Sequence, residues 1–167
     1  LSTELWKPLA DRRQHETVAT DGPKHSAPAN TTSFEVLEAV RANGMALQYV
    51  DEEMRAYKLV VLEAVKQNGL ALQYASPELR EDGEIVLEAV KQSGSALAHA
   101  SKELQADREV VLAAVRQDGA ALKHASTELK ADGELRHEAE NKRQADKEQA
   151  KVEAEKKLKA EKAKVLE

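Results

Sequence analysis

Residues 61–79 read VLEAVKQNGLALQYASPEL, and the phrase returns at 86–104 as VLEAVKQSGSALAHASKEL and at 111–129 as VLAAVRQDGAALKHASTEL. A more divergent copy, VLEAVRANGMALQYVDEEM, occupies residues 36–54. The central glycines stand 25 residues apart, at Gly44, Gly69, Gly94 and Gly119. A fixed period of this length indicates a tandem array of one small supersecondary unit.

Each unit opens with a pattern typical of an amphipathic helix. In the third unit Val86 and Leu87 lie four and three residues before Val90, which places all three on one stripe of a helix of about ten residues. Asp82 stands before this helix, where its carboxylate can accept hydrogen bonds from the first free N–H groups. The other units and the segment after them have Thr32, Tyr57, Asp107 and Asp132 at this position, and among these only the tyrosine cannot cap a helix.

The repeated glycine follows the helix directly. Because glycine reaches the left-handed conformation without a Cβ clash, we expect Gly69 to close the helix at its C′ position, after Asn68. A second short segment follows, and Ser76 and Pro77 then indicate a further capped turn. The predicted unit is therefore a helix, a glycine, a short helix and a capped turn.

A helix of three turns cannot bury its apolar stripe alone, so neighbouring units must cover one another. The columns available for this contact are Val36/Val61/Val86/Val111, Leu37/Leu62/Leu87/Leu112 and Leu47/Leu72/Leu97/Leu122. The sequence thus predicts an all-α fold, a short right-handed helical-repeat solenoid of four 25-residue units over residues 34–133.

The pattern fails in a fifth copy. Leu135 fits it, but Arg136, His137, Glu140 and Gln144 replace the expected valine, leucine, valine and glycine, so we expect stacking to end there. Residues 134–167 contain no glycine or proline and set opposite charges four residues apart, which predicts one long charged helix.

Residues 1–33 have the Pro, Gly, Ser and Thr content of an extended arm. Leu5, Trp6 and Leu9 form a short apolar cluster in this arm, outside the repeats. The cluster can cap the exposed end of the first unit or dock on another protein as an aromatic anchor.

Composition narrows the functional classes. A net charge of −5 and 3% aromatic residues do not suit nucleic-acid binding. The chain has no cysteine, which excludes disulfides and thiolate chemistry, and its apolar runs are too short to cross a bilayer. No Ser/His/Asp grouping, phosphate loop or HExxH motif is present, so we expect neither catalysis nor a cofactor.

Two further columns are candidate binding surfaces. Tyr49, Tyr74, His99 and His124 combine an apolar body with a polar tip, and we place them at the edge of a groove. Two imidazoles without a third ligand are weak grounds for a metal site, so we predict no metal and interpret the column as a packed rim or a partner-binding surface. Arg41, Lys66, Lys91 and Arg116 form either a positive stripe for an acidic partner or, as we favour, a solvated face with intrahelical pairs.

The segment VVLEAVKQNGLALQYASPELREDGEIVLEAVKQSG resembles the repeats of domain-of-unknown-function family 4116, which is abundant in algal and protist proteins. The resemblance covers about residues 34–135, and the first unit departs from its pattern at Asp51 and Met54. It implies a small helical-repeat fold with a binding role and no established reaction. It also implies an algal source and an organellar assembly.

These observations favour a non-catalytic structural or interaction subunit of a larger protein complex, tied in by the arm, the repeat surface and the C-terminal helix. Our first candidate is a peripheral, membrane-extrinsic subunit of an algal photosynthetic supercomplex at the plastid thylakoid, with a mitochondrial or cytoplasmic location as the alternative. The second hypothesis is a free-standing peptide-binding adaptor that uses the Tyr/His column.

Overall fold

The computed structural model describes residues 33–165, with side chains described for residues 34–162. The predictions for the arm, including Leu5, Trp6, Leu9 and the Thr32 cap, lie outside these residues. All regular elements of the described segment are helices, which confirms the all-α prediction.

Each of the four units contains three helical elements. The ten-residue unit helices are Ser33–Ala42, Lys58–Gln67, Gly83–Gln92 and Arg108–Gln117. The 3-10 helices are Gly44–Tyr49, Gly69–Tyr74, Gly94–His99 and Gly119–His124. The capped turns are Glu52–Arg55, Glu78–Arg80, Lys102–Gln105 and Thr127–Ala131, and the long helix Gly133–Val165 follows them.

The predicted caps are present. The Asp82 carboxylate accepts hydrogen bonds from the N–H groups of Glu84 and Ile85, and Asp107 and Asp132 repeat this arrangement. Tyr57 makes no side-chain cap, as expected from its chemistry. Aspartates therefore define the starts of the third and fourth unit helices and of the long helix.

The predicted conformation of the repeat glycines is wrong, because none of them has a left-handed φ. The unit helix ends instead at an extended residue, such as Asn68 with φ −150° and ψ 108°. The Asn68 side chain accepts from the N–H of Leu70 and so caps the following 3-10 helix. The turn between the two helices thus has an extended residue in place of a left-handed glycine, and in three of the four units the side chain of that residue caps the 3-10 helix.

Glycine is required at this position because the next unit lies against it. A Cβ on Gly69 would stand 2.3 Å from the carbonyl oxygen of Ala89, and one on Gly94 would stand 2.5 Å from that of Ala114. No heavy atoms approach so closely without a shift of backbone. The 25-residue glycine period thus records a contact between adjacent units.

A glutamine completes this contact. The Gly69 N–H donates to Gln92 Oε1 at 2.6 Å, and the Gly94 N–H donates to Gln117 Oε1 at 2.7 Å. Each glutamine amide in turn donates to the backbone carbonyl of the residue 25 positions earlier, at 3.4 Å. The glutamines therefore link successive units and satisfy buried glycine N–H groups.

The core is continuous along the array, with two of the three predicted columns buried. The valine and central leucine columns are at most 8% exposed, whereas Leu37, Leu62, Leu87 and Leu112 are only half-buried at its edge. Leu135 and Ala139 are also buried, so the first two turns of the long helix stack as a fifth unit helix. Stacking thus continues beyond the predicted end, while the side chains of residues 143–162 are all exposed.

None of the helices between residues 33 and 165 combines the length and apolarity needed to traverse a bilayer.

Replacing Gly94 with alanine should lower the free energy of unfolding by about 1–3 kcal/mol or more, because its Cβ would overlap the Ala114 carbonyl. Gly133→Ala is the matched control, since no neighbouring heavy atom of the described segment lies within 4 Å of its Cβ. We expect that variant to stay within about 1 kcal/mol of the parent. Urea unfolding followed by far-UV circular dichroism measures both, and equal stability of the two variants would contradict the contact.

Candidate functional site

The four residues of the Tyr/His column each end a 3-10 helix, so they lie along one edge of the array. Tyr49 is exposed, whereas Tyr74, His99 and His124 are half-buried. The Tyr74 hydroxyl donates to Gln48 Oε1 of the preceding unit at 3.4 Å. The column therefore forms a partly covered rim, and its role in partner binding stays a prediction.

The two histidines favour the neutral imidazole. Burial is the main cause that lowers the pKa of His99, and the positive charge of Arg80 adds to it. Burial also lowers the pKa of His124, assisted by the charges of Lys123, His99 and Lys130. Both imidazoles lie in electropositive surroundings, which disfavour further positive charge.

His99 also lines a cleft of about 300 Å³ between two capped turns. Arg80 and Lys102 line this cleft with Glu81 and Glu103, and the buried Nε of Arg80 has no hydrogen-bond partner among the residues that the structure describes. Within the described residues no three His, Asp or Glu side chains are placed to hold a metal ion. Two cationic side chains beside the imidazole make this position unsuitable for a metal cation.

The basic stripe is largely neutralised by glutamates. Arg41 pairs with Glu38 at 3.3 Å in its own helix and with Glu63 of the next unit at 3.1 Å. Lys66 also pairs with Glu63, and Arg116 pairs with Glu138 at the start of the long helix. Only Lys91 of this column makes no ion pair in the described part of the chain. The stripe is thus a paired, solvated face that offers little attraction for an acidic partner.

A second set of ion pairs links the second unit to the third and the fourth unit to the long helix. Lys58 lies 2.9 Å from Asp82 and 2.7 Å from Glu84, and these contacts raise the pKa of Lys58. Arg108 contacts Asp132 and Glu134 in the same way. The corresponding positions in the third unit and the long helix are Gly83 and Gly133, which cannot form such pairs. These ion pairs between units therefore recur at every second unit.

An exposed apolar patch at the first two units is the feature that sequence reasoning missed. Phe34 is 68% exposed and Leu59 47%, and they occupy the same position in successive units. Tyr57, 52% exposed, precedes Leu59 by two residues. The third unit, the fourth unit and the long helix have Glu84, Glu109 and Glu134 at this position. Comparison of the column across units would have found the patch, because only exposed positions tolerate both phenylalanine and glutamate.

Acidification below the ordinary histidine pKa of about 6.5 should lower the free energy of unfolding. The pKa values of His99 and His124 are depressed in the folded chain, so between the two values the unfolded chain binds more protons and stability falls as pH falls. A His99→Gln/His124→Gln variant should lose this slope. Denaturant titrations at a series of pH values measure it, with exposed His137→Gln as the control, and an unchanged slope in the double variant would contradict the assignment.

Comparison with known proteins identifies the family of the repeats but indicates no activity. No curated protein and no solved structure matches the chain. One family model matches twice in tandem, and each match spans two of the 25-residue units. Since the two matches, residues 36–80 and 82–130, cover more than half of the sequence, the chain belongs to the family described as Domain of unknown function (DUF4116).

Proposed function

We propose that the protein is a non-catalytic structural subunit that docks into a larger protein assembly through the two ends of its repeat array. The observation that carries the proposal is the exposed patch of Phe34, Tyr57 and Leu59. Exposed apolar side chains that cluster at one end of an otherwise charged surface are typical of protein interfaces.

The substitution pattern strengthens this interpretation. Glu84 and Glu109 occupy the patch position in the third and fourth units, and both of those units retain the same helices and buried columns. Folding of a unit therefore does not require an apolar residue at this position. The presence of phenylalanine and leucine at this position only in the first two units is consistent with a contact made by the surface itself.

The projecting part of the long helix is a second support. Residues 143–165 extend for about 35 Å at 1.5 Å per residue, and their described side chains lie in solvent. Val152 and Leu158 are exposed among many charges. A helix that is polar all round gains little from its own array, and bridging to another protein is a common use of such a helix.

For the identity of the assembly we propose an algal photosynthetic supercomplex, with the protein on its periphery at the plastid thylakoid. The algal distribution implied by the family resemblance is the support for this choice. The arm residues Leu5, Trp6 and Leu9 serve as an additional anchor in this proposal.

A free-standing peptide-binding adaptor is the alternative function. The half-buried Tyr74, His99 and His124 and the cleft beside His99 support it. In that case Tyr74→Ala and His124→Ala would abolish partner capture, whereas changes at the apolar patch would not affect it.

Phe34→Glu/Leu59→Glu should keep most of the protein out of its native assembly, because it replaces two apolar side chains of the patch with the charged glutamate that later units have at this position. Co-migration of the tagged full-length chain with partner subunits on a density gradient measures incorporation. Glu109→Gln is the control at the same column. Both variants should keep the parent circular dichroism spectrum, and full co-migration of the double glutamate variant would refute the patch as an interface.

Trp6→Ala and a truncation after Lys147 should each weaken incorporation without unfolding the array. The truncation keeps Leu135, Ala139 and Arg143, which pack on the fourth unit. A cut after Asp132 would expose the core of that unit, so a loss of docking could not be separated from a loss of folding. The same gradient measures both variants. Unchanged co-migration of both would show that neither appendage tethers the protein.

A further inference from the structure

The last unit borders a cleft of about 630 Å³, which we call the terminal cleft. Leu122 and Ala139 form its floor, and Lys123, Lys130, Arg136 and Arg143 are placed around it. His137 and Glu140 complete the polar side of its wall.

The position of the terminal cleft follows from the repeat. One unit earlier, the equivalent residues of its floor are Leu97 and Ala114, both fully buried. There the 3-10 helix Gly119–His124 packs on the unit helix Arg108–Gln117 and on the preceding 3-10 helix. The long helix continues past residue 143 without such a turn, so no fifth 3-10 helix covers this end. Leu122 accordingly keeps 8% exposure, whereas Leu47, Leu72 and Leu97 have none.

Four cationic side chains are grouped around the terminal cleft. None of its four lysines and arginines makes an ion pair within the described residues. Seven other bases of the described segment do, and the remaining nine, such as Lys91 and Lys102, do not. What distinguishes the four is therefore that they line one cleft together. Four unpaired cations against one carboxylate, Glu140, concentrate positive charge in a protein whose net charge is −5.

A requirement to cap the array does not account for this excess. A terminal unit needs a polar outer face, and Arg136 and Glu140, which replace two valines, already supply one with charges of opposite sign. Lys123 stands where the earlier units have Gln48, Gln73 and Ala98, and Arg143 stands where they have Asn43, Asn68, Ser93 and Asp118. The charges of Lys123 and Arg143 are therefore specific to the open end, whereas Lys130 stands where the first two units have Arg55 and Arg80.

From this geometry we propose that the terminal cleft binds an acidic peptide segment of a partner protein, in the place where a fifth 3-10 helix would pack. Carboxylates of the segment pair with Lys123, Lys130, Arg136 and Arg143, while its apolar side chains cover Leu122 and Ala139. The N-terminal arm of the chain is a poor occupant, since residues 1–32 contain four acidic and four basic residues. This inference specifies the chemistry of the partner that binds beside the last unit, and it rests on the proposed docking function.

A fluorescein-labelled decaglutamate peptide and the full-length protein provide the test, with fluorescence anisotropy as the measurement. Lys130→Glu/Arg136→Glu should weaken binding by about tenfold or more, because each exposed pair contributes up to about 1 kcal/mol and reversal turns attraction into repulsion. Lys91→Glu is the control, since this exposed, unpaired lysine lies on another unit, and its effect should stay within about twofold. Amide chemical-shift changes on peptide addition should centre on Lys123 and residues 130–143.

Several outcomes would overturn the inference. Equal weakening by Lys91→Glu would indicate diffuse electrostatics, and equal binding of decaglutamine would indicate an apolar surface. Binding of phosphatidylserine vesicles without binding of decaglutamate would assign the cleft to a membrane. Dimerisation in sedimentation equilibrium that Arg136→Glu abolishes would assign it to a second copy. Phe34→Glu/Leu59→Glu should bind the peptide normally, so failure here is separate from failure of the apolar interface.

Discussion

The contact between a repeat glycine and the alanine carbonyl of the next unit helix is the constraint on which the array depends. At Gly44, Gly69, Gly94 and Gly119 a Cβ would meet that oxygen at 2.3–2.5 Å, so the backbones of adjacent units touch at this point. The same approach brings the N–H groups of Gly69 and Gly94 within reach of a glutamine of the next unit. Because the contact is made by backbone, it fixes how units stack and leaves other surface positions free to vary.

The sequence predicted the architecture because its signals are local and repeated. Apolar spacing identified the unit helices, and Asp82 and Ser76 identified the starts of helix and turn. The role of glycine was mispredicted because a glycine after a helix fits both a left-handed cap and a close approach, and only the neighbouring unit distinguishes them. The glutamine column is visible in the sequence, but its partner is an N–H group 23 residues away.

The candidate surfaces were predicted less well, for a related reason. Residues that end the 3-10 helix of successive units lie along one edge of the array. The alignment of Tyr49, Tyr74, His99 and His124 could therefore be predicted from their spacing alone. Phe34 and Leu59 were overlooked because an apolar residue within a repeat is readily assigned to the core. The terminal cleft could not be predicted from the sequence, because the pattern of the fifth copy fails there. Its position depends on the continued stacking of Leu135 and Ala139, which only the structure shows.

The two ends of the array differ in chemistry, and this difference bears on how it can assemble. The first end carries exposed aromatic and aliphatic side chains, whereas the last carries unpaired cations around a partly covered leucine. Phe34 and Leu59 belong to a column that is exposed in every unit, so they lie on the side of the array, whereas the terminal cleft lies where a fifth 3-10 helix would pack. The two proposed contacts, one apolar and one with an acidic segment, therefore use separate surfaces, and in this proposal one chain binds both partners at once.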